Sequence, residues 1–154
     1  MRKSPVSVIA AAAFAAVNCC ATVSLASEDH GSPDFVHHMS QLQYFTHKLG
    51  LAISAQNARL QGYYVHEVEE TIEKVAEVEN HKGIEVARLV ETLLEPAFLK
   101  LEQALDAPAP GGLDEPYEQL LDACNTCHEA AAHGYIRIER NGANPYLQSF
   151  APGK

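Results

Sequence analysis

The sequence predicts an all-α protein, an up-down-up-down four-helix bundle with an extended C-terminal tail. Three observations carry that expectation. Apolar residues recur every three or four positions in four separate stretches. The connections between these stretches are short, which favours antiparallel neighbours that bury one another's stripes. Strand-type alternation is confined to one brief segment near the C-terminus.

The first stretch, residues 34–57, places Phe35, Leu42, Phe45, Leu49, Ala52 and Ile53 on one helical stripe. The second, residues 60–78, aligns Tyr64, Val65, Val68, Ile72, Val75 and Val78, with Glu67, Glu69, Glu70, Glu73 and Glu77 largely on other faces. Such a glutamate-rich face is read as solvated. Asn80-His81-Lys82-Gly83 reads as a turn. A third helix over residues 84–105 carries Val86, Leu89, Val90, Leu93, Ala97, Leu101 and Leu105, and Pro96 is expected to kink or divide it. Residues 106–112, rich in proline and glycine, form the clearest linker. The fourth helix is expected from Asp114 as N-cap, with Pro116 in the first turn, to about His133, and Gly134 is its natural stop. In the tail, residues 134–154, Tyr135 to Arg140 have a strand-like period, and Asn141-Gly142 and Asn144-Pro145 mark turns. The tail is expected to fold back on the bundle.

Residues 1–26 combine a positive start (Arg2, Lys3), an Ala-rich uncharged run and a small-residue ending at Ser24-Leu25-Ala26. They are read as a cleaved secretory signal, preferred to a membrane anchor of similar length. That leaves one domain over residues 27–154 in a periplasmic or secreted location. The whole chain has 20 acidic and 11 basic residues and a net charge of −9. Nucleic acid is therefore excluded as a partner, because phosphate backbones need a basic surface. Cys19 and Cys20 fall in the signal, so only Cys124 and Cys127 remain in the mature chain, too few for a disulfide framework.

Cys124-Asn125-Thr126-Cys127-His128 is a Cys-x-x-Cys-His run, the attachment pattern of a c-type haem. Two thiols three residues apart share one face of a helical turn and can meet two vinyl groups on one porphyrin edge as thioethers. His128 then becomes the proximal axial ligand of the iron. Three other readings of the pair are weaker. Structural zinc needs four ligands, and the mature chain has no second cysteine pair. A thioredoxin-like pair belongs at a helix start in a βαβ context. A plain disulfide would leave the histidine incidental.

A haem motif on the last of four helices resembles the class II c-type cytochromes, the cytochrome c prime type, and differs from class I, whose motif lies near the N-terminus. The likeness covers roughly residues 35–133. It implies one covalent haem c held between the fourth helix and its neighbours, with Cys124 and Cys127 as anchors and His128 as axial ligand. Members usually end soon after the motif with a basic residue nearby, whereas this chain has Glu129-Ala130-Ala131-Ala132-His133 and a long tail. The resemblance also implies that the iron's opposite face is either open behind an apolar side chain or filled from the first helix. At about 100° per residue His38 falls inside the Leu42–Phe45–Leu49 stripe and Met39 on its border, so His38 or Met39 is the candidate distal ligand. His37 and His47 point elsewhere, to solvent or hydrogen bonds. His66, His81 and His133 have no partner at metal spacing. Arg137 and Arg140 are candidates for propionate contacts.

The expected function is one-electron transfer between protein partners, with an acidic surface steered to a basic docking patch on the redox partner. The alternative is a five-coordinate haem protein binding nitric oxide or carbon monoxide. A third expectation, from a different class, is a haem-free acidic binding module. No nucleophile–base arrangement or Gly-rich phosphate loop points to an enzyme. Bundles of this type often pair through an exposed stripe, so a homodimer is open.

Overall fold

The protein is described here from a computed structural model over residues 33–107 and 112–153. The expected signal, residues 1–26, and residues 108–111 of the linker lie outside the described residues. The chain is mostly helical, and the described residues contain no β-strand.

Helix α1 spans Pro33–Ser54 and α2 spans Ala58–Ala76. Asn57, expected at the end of the first helix, instead caps the second: its Oδ1 accepts the Leu60 N–H at 3.3 Å. The two helices form the closest pair. Leu49, Ala52 and Val68, which have essentially no exposure, belong to the core they share. Between α2 and the third helix the chain makes a tight turn. His81 and Ile84 exchange both backbone hydrogen bonds at 3.0 Å, while Lys82 (φ 52°) and Gly83 (φ 84°) take the left-handed region such a turn requires.

Helix α3, residues 86–106, is not divided at Pro96. It starts as α-helix (Val86–Leu89), widens into a π-helical turn (Val90–Leu94) and resumes as α-helix over Glu95–Asp106, with Pro96 in the first turn of that last part. A proline ring collides with the carbonyl four residues back, and a wider turn immediately ahead of it takes up the mismatch without ending the helix.

Helix α4 spans Asp114–Ala130. Asp114 is its first helical residue; Leu113 occupies the cap position with no side-chain cap bond. The helix also stops earlier than the sequence suggests, and without glycine. Ala132 adopts φ 58°, the His133 N–H bonds to the His128 carbonyl at 2.7 Å, and the Ala132 N–H bonds to the Glu129 carbonyl at 3.0 Å. This paired closure is a Schellman motif, whose hydrogen bonds outweigh the strain of a left-handed alanine. Tyr117 of α4 reaches α1: its hydroxyl donates to the Thr46 carbonyl at 2.9 Å beside Gly50, where a Cβ would stand 2.5 Å from the phenol oxygen.

The tail does fold back, but as extended chain without a ladder, so Tyr135 to Arg140 are not a strand. Side chains take the backbone groups instead. Asn125 Nδ2 donates to the Ile138 carbonyl (2.9 Å) and its Oδ1 accepts the Ile138 N–H (2.8 Å). Further on, Phe150 is buried in the core, and Asn57 Nδ2 donates to the Phe150 carbonyl at 3.0 Å. Lys48 donates to Gln148 Oε1 at 3.0 Å, and its ammonium lies 4.6 and 4.8 Å from the Tyr44 and Tyr146 ring centres. Both partners of Gln148 Oε1, Lys48 and the Tyr64 hydroxyl, come from the helices.

Candidate functional site

Cys124 and Cys127 project from the last two turns of α4, one face of a helix being what a three-residue spacing gives. Both are free thiols, half-buried and packed against the core. Burial, with the neighbouring Cys127 sulfur adding to it, pushes the Cys124 thiol up to about 12. Burial pushes Cys127 up to about 11. The Cys127 Sγ points its weak donor at the Leu89 carbonyl, 3.6 Å away, at the start of the π turn. Reactive redox pairs have lowered thiol pKa values. These are raised, so the pair lacks the electrostatics of a thioredoxin-like site.

His128 follows at the third residue from the helix end, held there by the Schellman closure. Its Nδ1 stands 2.9 Å from the Ile136 carbonyl. A carbonyl can only accept, so Nδ1 carries the proton and the Nε2 lone pair is left for another partner. This is the arrangement metal-ligating histidines commonly have, one nitrogen committed to a backbone carbonyl and the other to the metal. The tail supplies that carbonyl, and the Asn125–Ile138 clamp two residues on keeps it in place.

Both cysteines and His128 open on one cavity of about 440 Å³. Apolar residues dominate its walls: Phe35, Met39 and Leu42 from α1, Val75 from α2, Val86, Leu89, Val90 and Leu94 from α3, and Ile136 and Ile138 from the tail. The volume lies in the ~300–1,000 Å³ range of cofactor pockets. Two enclosed polar atoms belonging to its walls, Thr46 Oγ1 and His81 Nδ1, have no hydrogen-bond partner. An apolar chamber with two thiols on one helical face, an imidazole presenting a free nitrogen and uncommitted polar atoms in its wall fits a covalently held haem.

Of the two candidate distal ligands, Met39 lines this cavity, whereas His38 is not among its lining residues. His38 is half-buried and its Nδ1 is enclosed without a partner. His37 is exposed. His47 has a hydrogen-bonding role: its Nε2 donates to the Asn141 carbonyl (3.0 Å), so Nδ1 accepts from the Tyr146 hydroxyl (2.9 Å). His66 pairs on the surface with Glu69 and Glu70 of the acidic face. Arg137 and Arg140 line a second, more polar cleft of about 530 Å³ under the tail. There Arg140 bonds Asp114 (2.7 Å) and Glu118 (2.8 Å) above the Tyr117 ring, and Arg137 lies 3.8 Å from Glu129. The two spaces adjoin at Ser40, Gln43, Thr46 and Ile138.

Spacing alone could not find two further wall residues, His81 and His133. They stand far from the motif in sequence or beyond its helix, and only the turns at 81–84 and 131–133 bring them in. A polar residue inside an otherwise tight turn was the sole signal available. Among the described residues no three His, Cys, Asp or Glu side chains converge as a metal-binding group, and no helix is long and apolar enough to cross a membrane. Comparison of the chain with protein-family models, curated proteins and solved structures gives no match, so the site rests on its own geometry.

Proposed function

We propose that this chain is a monohaem c-type cytochrome of the class II, cytochrome c prime type, an up-down-up-down four-helix bundle that is exported and carries one electron at a time between protein partners. The observation that carries the reading is the convergence of Cys124, Cys127 and His128 on one apolar cavity, with the His128 Nδ1–H already committed to the Ile136 carbonyl. Bound there, the haem supplies a one-electron iron couple. The residues do the rest. Cys124 and Cys127 would hold the group: each S–H would add across a vinyl C=C, forming a C–S bond and passing its hydrogen to the neighbouring carbon, so no external oxidant or reductant would be required. His128 would offer Nε2 to the iron, its ring held in orientation by the Ile136 carbonyl of the tail. The apolar walls exclude water and so lower the local dielectric around the metal. Propionate contacts from Arg137 or Arg140 would be made from the adjoining polar cleft.

The test is an intact-mass measurement and a pyridine haemochrome assay on protein matured with a c-type haem attachment system. The expected result is one haem per chain, lost when Cys124 and Cys127 are both changed to alanine. Bare polypeptide with two alkylatable thiols overturns the proposal. A reduced spectrum that ignores carbon monoxide supports the electron carrier, and one that shifts with the gas supports a gas binder.

A further inference from the structure

Resting on the haem reading above, but departing from the open face or first-helix ligand that the class II resemblance implies, we infer that His81, in the turn between α2 and α3, supplies the sixth ligand of the iron, so that two imidazoles hold the metal. Three enclosed polar atoms in the described residues lack a hydrogen-bond partner, on His38, Thr46 and His81. Of the two histidines only His81 lines the cavity that holds Cys124, Cys127 and His128. The residue is more than nine-tenths buried, at 8% exposure. An enclosed imidazole nitrogen without a partner is costly to keep, and the imidazole of histidine is the commonest metal ligand.

The surroundings hold this ring in place. The Phe35 ring packs on it at 4.4 Å between centres. Its backbone is pinned on both sides by the paired bonds to Ile84, and Asn80 Oδ1 accepts the Gly83 N–H at 2.9 Å to brace the turn. The Ala87 N–H bonds to the Val78 carbonyl at 3.2 Å and closes the loop at its base. So much local order around one polar residue is the rigidity an axial ligand needs. Met39 shares the cavity, but a thioether packs in an apolar wall without needing a partner.

The experiment compares visible and electron paramagnetic resonance spectra of matured wild type, His81→Ala, His81→Phe and Met39→Ala. The phenylalanine variant keeps a ring against Phe35 if the alanine variant folds poorly. Wild type is expected to be low-spin and unresponsive to carbon monoxide. Both His81 variants are expected to become high-spin, take up the gas, and return to low-spin when imidazole is added, while Met39→Ala keeps the wild-type spectrum. A high-spin wild type, a His81→Phe protein that stays low-spin, or a spin change on Met39→Ala instead overturns the assignment and leaves the haem reading intact. Absence of haem by mass would remove both.

Discussion

The two thiols face the same enclosure but respond to it differently. With pKa values of about 12 and 11 against 9.0 for an ordinary thiol, the thiolate fraction at neutral pH falls by about 1,000-fold at Cys124 and about 100-fold at Cys127. Because thiolate is the attacking form, haem-free protein should resist iodoacetamide when folded and label quickly in urea. Equal rates in the two conditions would contradict the burial. The same shifts set a pH dependence. A raised folded pKa means that the native state holds protons the unfolded chain releases, so stability is full below about pH 9 and is lost as pH rises towards 12. Urea midpoints of the haem-free protein should fall over that window, with a shallower slope in Cys124→Ala. Under the proposed haem attachment, thioether formation would remove both protons, and the thiol contribution to that slope should disappear. Asn125 matters in another way, since its side chain makes both bonds to Ile138. Asn125→Ala should cost about 1–3 kcal/mol, by urea unfolding, through the loss of two half-buried hydrogen bonds.

At the scale of elements, two helix contacts set the geometry. The Schellman closure of α4 fixes where His128 sits, and Ala132 takes the left-handed position at a cost that glycine would avoid. Ala132→Gly should therefore raise stability by about 0.5–1 kcal/mol with an unchanged helical circular dichroism signal. Gly50 is the reverse case. A Cβ there would meet the Tyr117 hydroxyl and ring at 2.5 and 2.8 Å, and Tyr117, which is 2% exposed, cannot swing out without losing its bond to Thr46. Gly50→Ala should lower stability by roughly 1–3 kcal/mol, read as a lower melting temperature. The π turn in α3 follows the same logic: Pro96 forces a local adjustment, and that adjustment borders the cavity at Val90 and Leu94.

Over the whole molecule the tail acts as a strap that closes the fold and completes the site. It contributes Phe150 to the core, receives Lys48, Asn57 and His47 from the helical layer, and delivers the Ile136 carbonyl to His128. Phe150→Ala should cost about 3–5 kcal/mol in thermal or urea unfolding; a change below 1 kcal/mol would mean the strap is not docked in solution. The exposed glutamates of α2 give a negative face, and if the proposed electron transfer uses a basic partner, that association should weaken as salt rises from 10 to 150 mM, on the order of a Debye length shrinking from 30 to 8 Å.

The helices were legible in the order of residues because an amphipathic stripe depends only on local periodicity, and four stripes need one another's cover. The Cys-x-x-Cys-His run was legible for the same reason: Cys124, Cys127 and His128 lie within five positions on one helix. Other features were not legible this way. The end of α4 at a left-handed alanine and the π turn that admits Pro96 are settled by local backbone hydrogen bonds that apolar periodicity does not register, and the extended course of the tail by side-chain bonds from Asn125, Lys48 and Asn57. The cavity wall depends on residues distant in the chain. Met39 faces it and His38 does not, although both lie near one stripe, and His81 enters it from a turn where no periodicity could point. Spacing along the chain fixes which side chains share a helical face. Which faces meet, and which polar atoms are left without partners where they meet, is decided only when the helices and the tail pack together.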